Sequence, residues 1–155
     1  MVLFSLIVVI AIIGVLAAIL VPSMMGYVKN SRLKSANANA KVVFNAVNSY
    51  ATQMQIEGRS VDDIYIIVNP IDCSVGGSGG SGTEELKQAI CDALKNNGSA
   101  SGWAYLGFND SKDEFKWAQW AKSTTDKVVG QYPDPPEDYD SCPTFGTYKA
   151  VGSGN

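Results

Sequence analysis

The most strongly patterned part of the chain is its first 21 residues, which are apolar almost without interruption. Ser5 is the only polar side chain in residues 1–21, and none of these residues is charged. A helix of this length rises about 31 Å, close to the hydrocarbon thickness of a bilayer. A helix in a soluble core would have a polar face, which this segment lacks. The pattern therefore predicts a helix that is able to cross a membrane.

Two residues weaken this apolar helix. Gly14 costs about 1 kcal/mol of helix stability relative to alanine. Pro22 has no N–H, so the carbonyl of Ala18 loses its usual hydrogen bond. In lipid an unpaired backbone group costs several kcal/mol, so the segment should stay helical there. We expect residues 15–21 to be helical in a bilayer and extended in an assembly whose neighbouring chains satisfy the backbone.

Residues 27–55 contain no glycine or proline, and their apolar residues recur at steps of three and four. This spacing predicts an amphipathic helix that continues the apolar one. A single helix over residues 1–55 would be about 80 Å long, so its apolar half must project from a domain of this size. The predicted buried stripe consists of Val28, Ala36, Ala40, Val43, Val47, Tyr50 or Ala51, and Met54.

The rest of the chain predicts a small head. An apolar run at residues 64–68 indicates a short strand, and Thr83, followed by two acidic residues, begins a helix. Three further strands, at residues 103–108, 114–122 and 127–132, are separated by turn-rich segments typical of an antiparallel meander. Such a sheet would bury one face on the long helix and leave the other partly wet. The helix is expected to bury Leu86, Ile90, Ala93 and Leu94 and to end at Asn97 and Gly98.

The chain therefore divides into three predicted parts. Residues 1–26 form a hydrophobic assembly or transmembrane segment, residues 27–55 form an amphipathic helix packed on the head, and residues 56–155 form the globular head with a C-terminal loop. The predicted fold class is α+β, with a long N-terminal helix and a C-terminal antiparallel sheet.

Composition argues against several functional classes. The 155 residues contain no histidine, which removes Ser-His-Asp and Cys-His nucleophiles and every histidine-containing metal site. The net charge of −3 argues against nucleic acid as the default partner. Since the sequence contains no catalytic constellation, we expect no enzymatic activity, no cofactor and no bound metal.

Charge is unevenly distributed along the chain. Residues 1–56 hold four basic residues and no acidic one, whereas residues 57–155 hold the other eight basic and all 15 acidic residues, a charge of −7. A basic helix beneath acidic heads would attract neighbouring copies in an assembly. Alternatively, anionic lipid orients the helix, and this second role is preferred for Lys29, Arg32 and Lys34.

Two loops lack the residues of known binding motifs. Residues 74–82 (SVGGSGGSG) predict a flexible loop, because a phosphate-binding loop would end in Lys-Ser or Lys-Thr. Residues 133–143 are irregular and acidic but lack the spacing of a calcium-binding EF-hand loop. Their carboxylates are predicted to be solvated rather than bound to metal: Asp134, Glu137, Asp138 and Asp140.

The three cysteines, Cys73, Cys91 and Cys142, are an odd set. In an exported protein two of them are expected to pair, which leaves the third free or intermolecular. Spacing alone does not choose the pair, although a bridge between Cys73 and Cys91 would close a short local loop.

Aromatic residues are dense between residues 103 and 148. Their alternation along the predicted strands places most of them in the core. A few on the wet face would instead form a platform that stacks on sugar rings. A carbohydrate-binding surface is therefore kept as an alternative.

The N-terminal segment resembles that of type IV pilins and of type II secretion pseudopilins. The match runs without a gap over residues 1–22, and Gly14 and Pro22 stand where the family has its glycine and proline. It is close over residues 1–30 and covers residues 31–55 in general character only. The matching residues are Leu3, Leu6, Ile7, Val8, Val9, residues 11–19 and Pro22.

The resemblance implies a structural subunit of an extracellular filament at the cell surface, which serves adhesion or motility. Its implied partners are identical copies in a helical polymer, the cytoplasmic membrane before assembly, the pilus assembly machinery and a prepilin peptidase. That peptidase would cut before Met1 and methylate its amine. By resemblance, the assembly residues are Met1, Leu3, Ser5, Leu6, Ile13, Gly14, Leu16 and Pro22.

The chain also departs from the family pattern. The family has glutamate at its fifth mature position, whereas this chain has Ser5, whose hydroxyl accepts a hydrogen bond but cannot cancel a charge. This difference favours a minor pilin or a secretion pseudopilin as the alternative to a major pilin. A membrane-anchored, carbohydrate-binding surface protein is the other alternative. The family's C-terminal disulfide implies Cys142 as one member of the pair.

Overall fold

The computed structural model describes residues 1–74, 83–99 and 101–150, and it has the α+β architecture predicted from the sequence. Most of the glycine-serine loop at residues 74–82 therefore lies outside the described residues. The elements in chain order are α1 (Val2–Ile56), α2 (Asp62–Tyr65), β1 (Ile71–Asp72), α3 (Thr83–Asn96), β2 (Trp103–Phe108), β3 (Phe115–Ala121), β4 (Val129–Tyr132) and a 3₁₀ turn (Tyr139–Ser141).

Helix α1 is a single helix of 55 residues that continues through Pro22. Its length is about 80 Å. All of residues 1–32 are exposed, and Leu33 is the first buried position, so the apolar half projects from the head as predicted. The predicted stripe is confirmed from Ala36 onward, but Val28 is exposed. The buried residues of α1 are Leu33, Ala36, Asn39, Ala40, Val43, Val47, Tyr50 and Met54.

The four strands form one antiparallel sheet in the order β1-β2-β3-β4, which confirms the predicted meander. One face of the sheet lies on α1, and the closest approach is at Gly130 in β4. A Cβ atom built on Gly130 would lie 2.0 Å from the backbone oxygen of Ala36. The small side chains of Ala36 and Ala40, both fully buried, allow the same close contact from the helix side.

Helix α3 packs against α1, and its predicted buried residues are largely confirmed. Leu86, Ile90 and Leu94 are fully buried, whereas Ala93 is half-buried. These side chains meet Val43 and Val47 of α1 in the main hydrophobic core. Arg59 joins the far end of α1 to α3, because its guanidinium bonds to the carboxylates of both Glu57 (3.3 Å) and Glu85 (2.8 Å).

The strand predicted at residues 64–68 is wrong. This run begins inside the short helix α2, and pairing with β2 starts only at β1. Ile64 and Ile67 are buried, at a spacing of three that fits a helical turn, whereas Ile66 and Val68 point to solvent. The start of the turn is set locally, because the hydroxyl of Ser60 accepts from the N–H of Asp62. A short apolar run does not distinguish a strand from a helical turn by composition alone.

The disulfide joins Cys73 and Cys91, and Cys142 is free. The local pairing left open by the spacing is therefore the one present, and the pairing of Cys142 implied by the family resemblance is wrong. Cys73 follows β1 directly beside α3, so the bridge ties the sheet edge to this helix. Cys142 lies instead in a separate small cluster against Leu33 and Val128, and burial raises the pKa of its thiol.

Removing this disulfide is expected to destabilise the head by about 3 kcal/mol, because the closed loop spans 18 residues and the open chain gains conformational freedom when unfolded. The variant is Cys73→Ser with Cys91→Ser. Urea unfolding of the full chain in detergent micelles, followed by tryptophan fluorescence, measures the loss. The control, Cys142→Ser, should change stability far less. Equal unfolding midpoints for the double variant and the natural chain would refute the estimate.

Candidate assembly surface

The predicted assembly residues all lie on the projecting half of α1, where the head covers none of them. The exposed fractions of Leu6, Ile13 and Leu16 are 60%, 58% and 54%. Soluble monomers rarely expose contiguous apolar patches larger than a few hundred Å². Residues 1–28 therefore form a surface that needs lipid or protein around it. The same segment also contains Met1, Leu3, Ser5, Gly14 and Pro22.

This helix is long and apolar enough to cross a membrane. The mean hydropathy of its most apolar 18-residue window is 3.2, and none of that window is buried. The first turn contains no acidic residue, and the N–H of Ser5 bonds to the carbonyl of Met1 (3.3 Å). Nothing polar interrupts the helix surface between Ser5 and Pro22.

Neither Gly14 nor Pro22 is required by the packing of the isolated chain. A Cβ atom on Gly14 would meet nothing within 4 Å, and the same is true of Gly26. After Pro22 the backbone remains helical, and the hydroxyl of Ser23 donates to the carbonyl of Leu20 (2.9 Å). The helical state expected for a bilayer is thus the state seen in the isolated chain. Both residues still reduce helix stability, which is relevant to a second, assembled state.

The head begins to contact α1 near the first basic residues of the helix. These residues are called the basic collar: Lys29, Arg32 and Lys34. The ammonium of Lys29 lies 4.8 Å from the ring centroid of Tyr139, and Arg32 pairs with Asp126 at 3.4 Å. Lys34 is exposed. Two of the three collar residues are therefore held by the head.

The second face of the sheet, expected to be partly wet, is covered by the C-terminal segment, residues 144–150. Gln119 and Gln131 face each other across β3 and β4, and both are fully buried. The Nε2 of Gln119 donates to the Oε1 of Gln131 (3.1 Å). The sequence signal for this site is a pair of polar residues at opposite positions of neighbouring strands, and it was not among the features predicted above.

The two amides bind the C-terminal segment as another strand would. Gln119 donates to the carbonyl of Thr147 (2.8 Å) and accepts from the N–H of Gly146 (2.7 Å). Gln131 donates to the carbonyl of Lys149 (2.7 Å) and accepts from the N–H of the same residue (3.1 Å). Each side chain presents one N–H donor and one carbonyl acceptor to the segment, as a backbone peptide does. The second N–H of Gln119 is used by Gln131, and that of Gln131 by the carbonyl of Asp134. These bonds hold the segment in place without the C-terminal disulfide that the resemblance implies.

Aromatic rings complete this cover. Trp117 stacks with Tyr105 (centroids 5.7 Å apart) and with Tyr148 (5.6 Å), and Phe145 meets Tyr105 edge-on (5.8 Å). Two of these four rings belong to the C-terminal segment. The aromatic residues of this face are thus used largely to pack the end of the chain.

The acidic loop, residues 133–143, lies beside α1 at the level of the collar. The Nδ2 of Asn37 donates to the carbonyl of Pro136 (2.9 Å), and the N–H of Tyr139 donates to the Oδ1 of Asn30 (3.3 Å). The side chains of Glu137 and Asp140 are exposed. Among the described residues, no group of three or more His, Cys, Asp or Glu side chains is placed to hold a metal ion.

The hydroxyl of Tyr148 donates a hydrogen bond to the carboxylate of Asp134, and this bond, with burial as the second cause, raises the pKa of Tyr148 to about 12. Because the folded-state pKa lies above the ordinary value of about 10, the bond stabilises the fold fully below pH 10 and is lost between pH 10 and 12. Absorbance titration should show Tyr148 ionising near pH 12. Tyr148→Phe should remove that step, and its persistence would contradict the assignment.

The fold and this surface define a class: an α+β chain with a long, exposed, apolar N-terminal helix that carries a small antiparallel sheet. This layout is compatible with a pilin-like fold. No family model, curated protein or solved structure matches the chain.

Proposed function

We propose that the chain is the structural subunit of an extracellular filament of the type IV pilin class. The observation that carries the proposal is the complete exposure of residues 1–32 of α1, which are apolar up to Val28 except for a few small or polar residues. The subunit is held in the cytoplasmic membrane through this helix before assembly. In the filament the same helices pack together and replace lipid as the apolar surroundings.

Physical chemistry supports two environments for this helix. Apolar surface left in water costs about 25 cal/mol per Å², so the projecting half must be covered in every stable state. Lipid covers it without any sequence requirement other than apolarity. A monomeric membrane anchor would therefore explain the composition, but it would not explain a glycine and a proline that weaken the helix at sites where the isolated chain has no need of them.

A carbohydrate-binding role is less well supported by the described part of the head. A sugar site combines free aromatic faces with free amide or carboxylate groups. The groove beside Tyr105 and Trp117 contains Asn69 and Asn109, but both amides are already used. Asn69 bonds to both backbone groups of Leu106, and Asn109 holds the turn that precedes β3.

Electron microscopy of material sheared from expressing cells tests the proposal. Filaments labelled by an antibody against the head are expected, and the chain should be their bulk component if it is a major pilin. A trace amount in filaments built of another chain would indicate a minor pilin or pseudopilin. The argument for this alternative is that the chain has Ser5 where the pilin family has a glutamate. Confinement of the chain to membranes, with no filament, would refute the proposal.

In the filament, residues 15–21 are expected to be extended, because neighbouring chains satisfy their backbone. Each residue then rises up to about 3.3 Å instead of about 1.5 Å, which adds on the order of 10 Å per subunit. Gly14→Ala with Pro22→Ala should favour a continuous helix and give a stiffer or poorly assembling filament. A filament map that shows an unbroken helix over residues 1–50 would contradict this expectation.

A further inference from the structure

A groove lies between α1 and α3 on the surface of the head, and we call it the α1–α3 groove. Its volume is about 410 Å³. It follows α1 from Val42 to Gln53, a length of about 17 Å. Four apolar side chains in it are only half-buried, so the head leaves them incompletely covered: Val42, Ala46, Ala89 and Ala93.

None of the described residues that line the α1–α3 groove is charged. This distinguishes the groove from the adjacent exposed side of α1, which carries Lys34 and Lys41. An uncharged helix packed on these two lysines would bury ammonium groups without a partner, which costs several kcal/mol for each group. The groove can accept an apolar helix without that cost, and its small alanine side chains let two helix backbones approach closely.

Lipid is too far away to fill the α1–α3 groove. Counted along α1 from Val28, the groove begins about 21 Å away at Val42 and ends about 38 Å away at Gln53. The headgroup layer extends only about 6 Å beyond the hydrocarbon on each side of a bilayer. Even if the hydrocarbon reaches as far as Val28, acyl chains therefore do not reach the groove.

A second copy of the chain supplies a helix of matching character. Residues 1–28, the apolar segment, contain no charged side chain and are exposed along their whole length. Copies that leave one membrane share its orientation, so the apolar segment of a higher copy lies alongside lower copies. A shift of about 21 to 78 Å along the axis brings some part of this segment level with the α1–α3 groove below. Because α1 is about 80 Å long, most shifts that keep two copies in contact fall within this range.

We propose that the α1–α3 groove is the docking site for the apolar segment of a second copy. The contact is heterologous, because the segment of one copy meets the groove of another. A heterologous contact that does not close into a ring builds an open helical polymer. The inference rests on the proposed function in taking the partner to be another subunit, and it adds the surface of the head that covers the segment.

Photo-cross-linking of the full chain in sheared filaments, and separately in membranes, tests the contact. Ser49→p-benzoylphenylalanine places a light-activated group at an exposed position in the groove. Trypsin releases residues 1–29 and 42–59 as separate peptides, so a docked segment should give a product that joins them. Within one chain, Ser49 lies about 31 Å beyond Val28 on the same helix, so this product can come only from a second copy.

The matched control is Asn48→p-benzoylphenylalanine, which places the same group on the same tryptic peptide. Asn48 is exposed, lies about 100° around α1 from Ser49 and does not line the groove. It should give little or none of the product that joins residues 1–29 to residues 42–59. Equal amounts of this product from both positions would show that the segment does not dock in the groove.

A charge placed in the groove gives a second test. Ala46→Glu sets a carboxylate against the uncharged segment and should reduce filament yield at least tenfold. Gln88→Glu adds the same charge at an exposed position of α3 outside the groove and should have no effect. Urea unfolding in micelles, followed by tryptophan fluorescence, checks that the head keeps its stability. A normal yield of Ala46→Glu filaments would overturn the inference, and if its unfolding midpoint falls, the cross-linking decides alone.

The outcomes distinguish this inference from the proposed function. The cross-linked product in membranes of cells that form no filament would support the contact and refute the filament role. Filaments without the product would refute the contact and leave the filament role intact. Links from Ser49 to lipid or to a different protein, in place of residues 1–29, would show that the occupant is not a second copy and that the inference is wrong.

Discussion

Gly130→Ala is expected to destabilise the head by about 3 kcal/mol or more, the upper end of the usual cost of overpacking. The added methyl group would lie 2.0 Å from the backbone oxygen of Ala36 and 2.5 Å from the backbone nitrogen of Asn37. Backbone atoms cannot rotate away as a side chain does, so α1 and β4 must separate. Urea unfolding of the full chain in micelles measures the effect, because the three tryptophans lie in β2 and β3 and report on the sheet alone.

The matched control for Gly130 is Gly26→Ala, which adds the same methyl group to the projecting half of α1. Nothing lies within 4 Å of the new atom, and the residue is outside the head. The unfolding midpoint of the head should therefore not change. If Gly130→Ala and Gly26→Ala have the same unfolding midpoint, the close approach of α1 and β4 at Gly130 does not limit the packing of the head.

Replacing both Gln119 and Gln131 with methionine is expected to release the C-terminal segment. Methionine nearly keeps the shape of each side chain but removes its hydrogen bonds to Gly146, Thr147 and Lys149. At about 1 kcal/mol for each lost bond, the segment loses about 3–4 kcal/mol. Because 1.4 kcal/mol corresponds to a tenfold change, amide exchange at Gly146 and Lys149 should accelerate by two orders of magnitude or more.

Hydrogen exchange with residue resolution measures this release, and Gln55→Met is the control. Gln55 is exposed at the end of α1, far along the chain from the segment, so its replacement should leave exchange unchanged. Unchanged protection of Gly146 and Lys149 in the double variant would show that the aromatic contacts of Tyr148 and Phe145 hold the segment by themselves.

Local patterns in the sequence were sufficient to predict the long helix, the packing of α3 and the meander of β2, β3 and β4. These elements repeat one spacing over many residues, so a single misplaced residue does not change the prediction. The strand predicted at residues 64–68 failed for the opposite reason, because five apolar residues fit either a strand or a helical turn. There the outcome depended on Ser60 and on which of the isoleucines reached the core.

The candidate site divides in the same way. The apolar segment is visible in the sequence, because its exposure follows from length alone: a head of this size cannot cover a helix of about 80 Å. Three other features are not visible in the sequence. They are the pairing of Cys73 with Cys91, the C-terminal segment that covers the second face of the sheet, and the partners of Lys29 and Arg32. Each of these contacts, apart from the disulfide, joins residues that are far apart in the chain, as Arg32 and Asp126 are.

The sequence by itself thus determined that the chain has a projecting apolar helix with weakened backbone at Gly14 and Pro22, followed by a small α+β head. Hydrophobic periodicity and the length of each apolar segment can be read from neighbouring residues alone, and they are sufficient to predict these features. Only the tertiary structure decided that Gln119 and Gln131, rather than Cys142, hold the end of the chain. The physical reason is that hydrogen-bond and disulfide partners are chosen by distance in space, which the folded backbone sets and residue spacing does not.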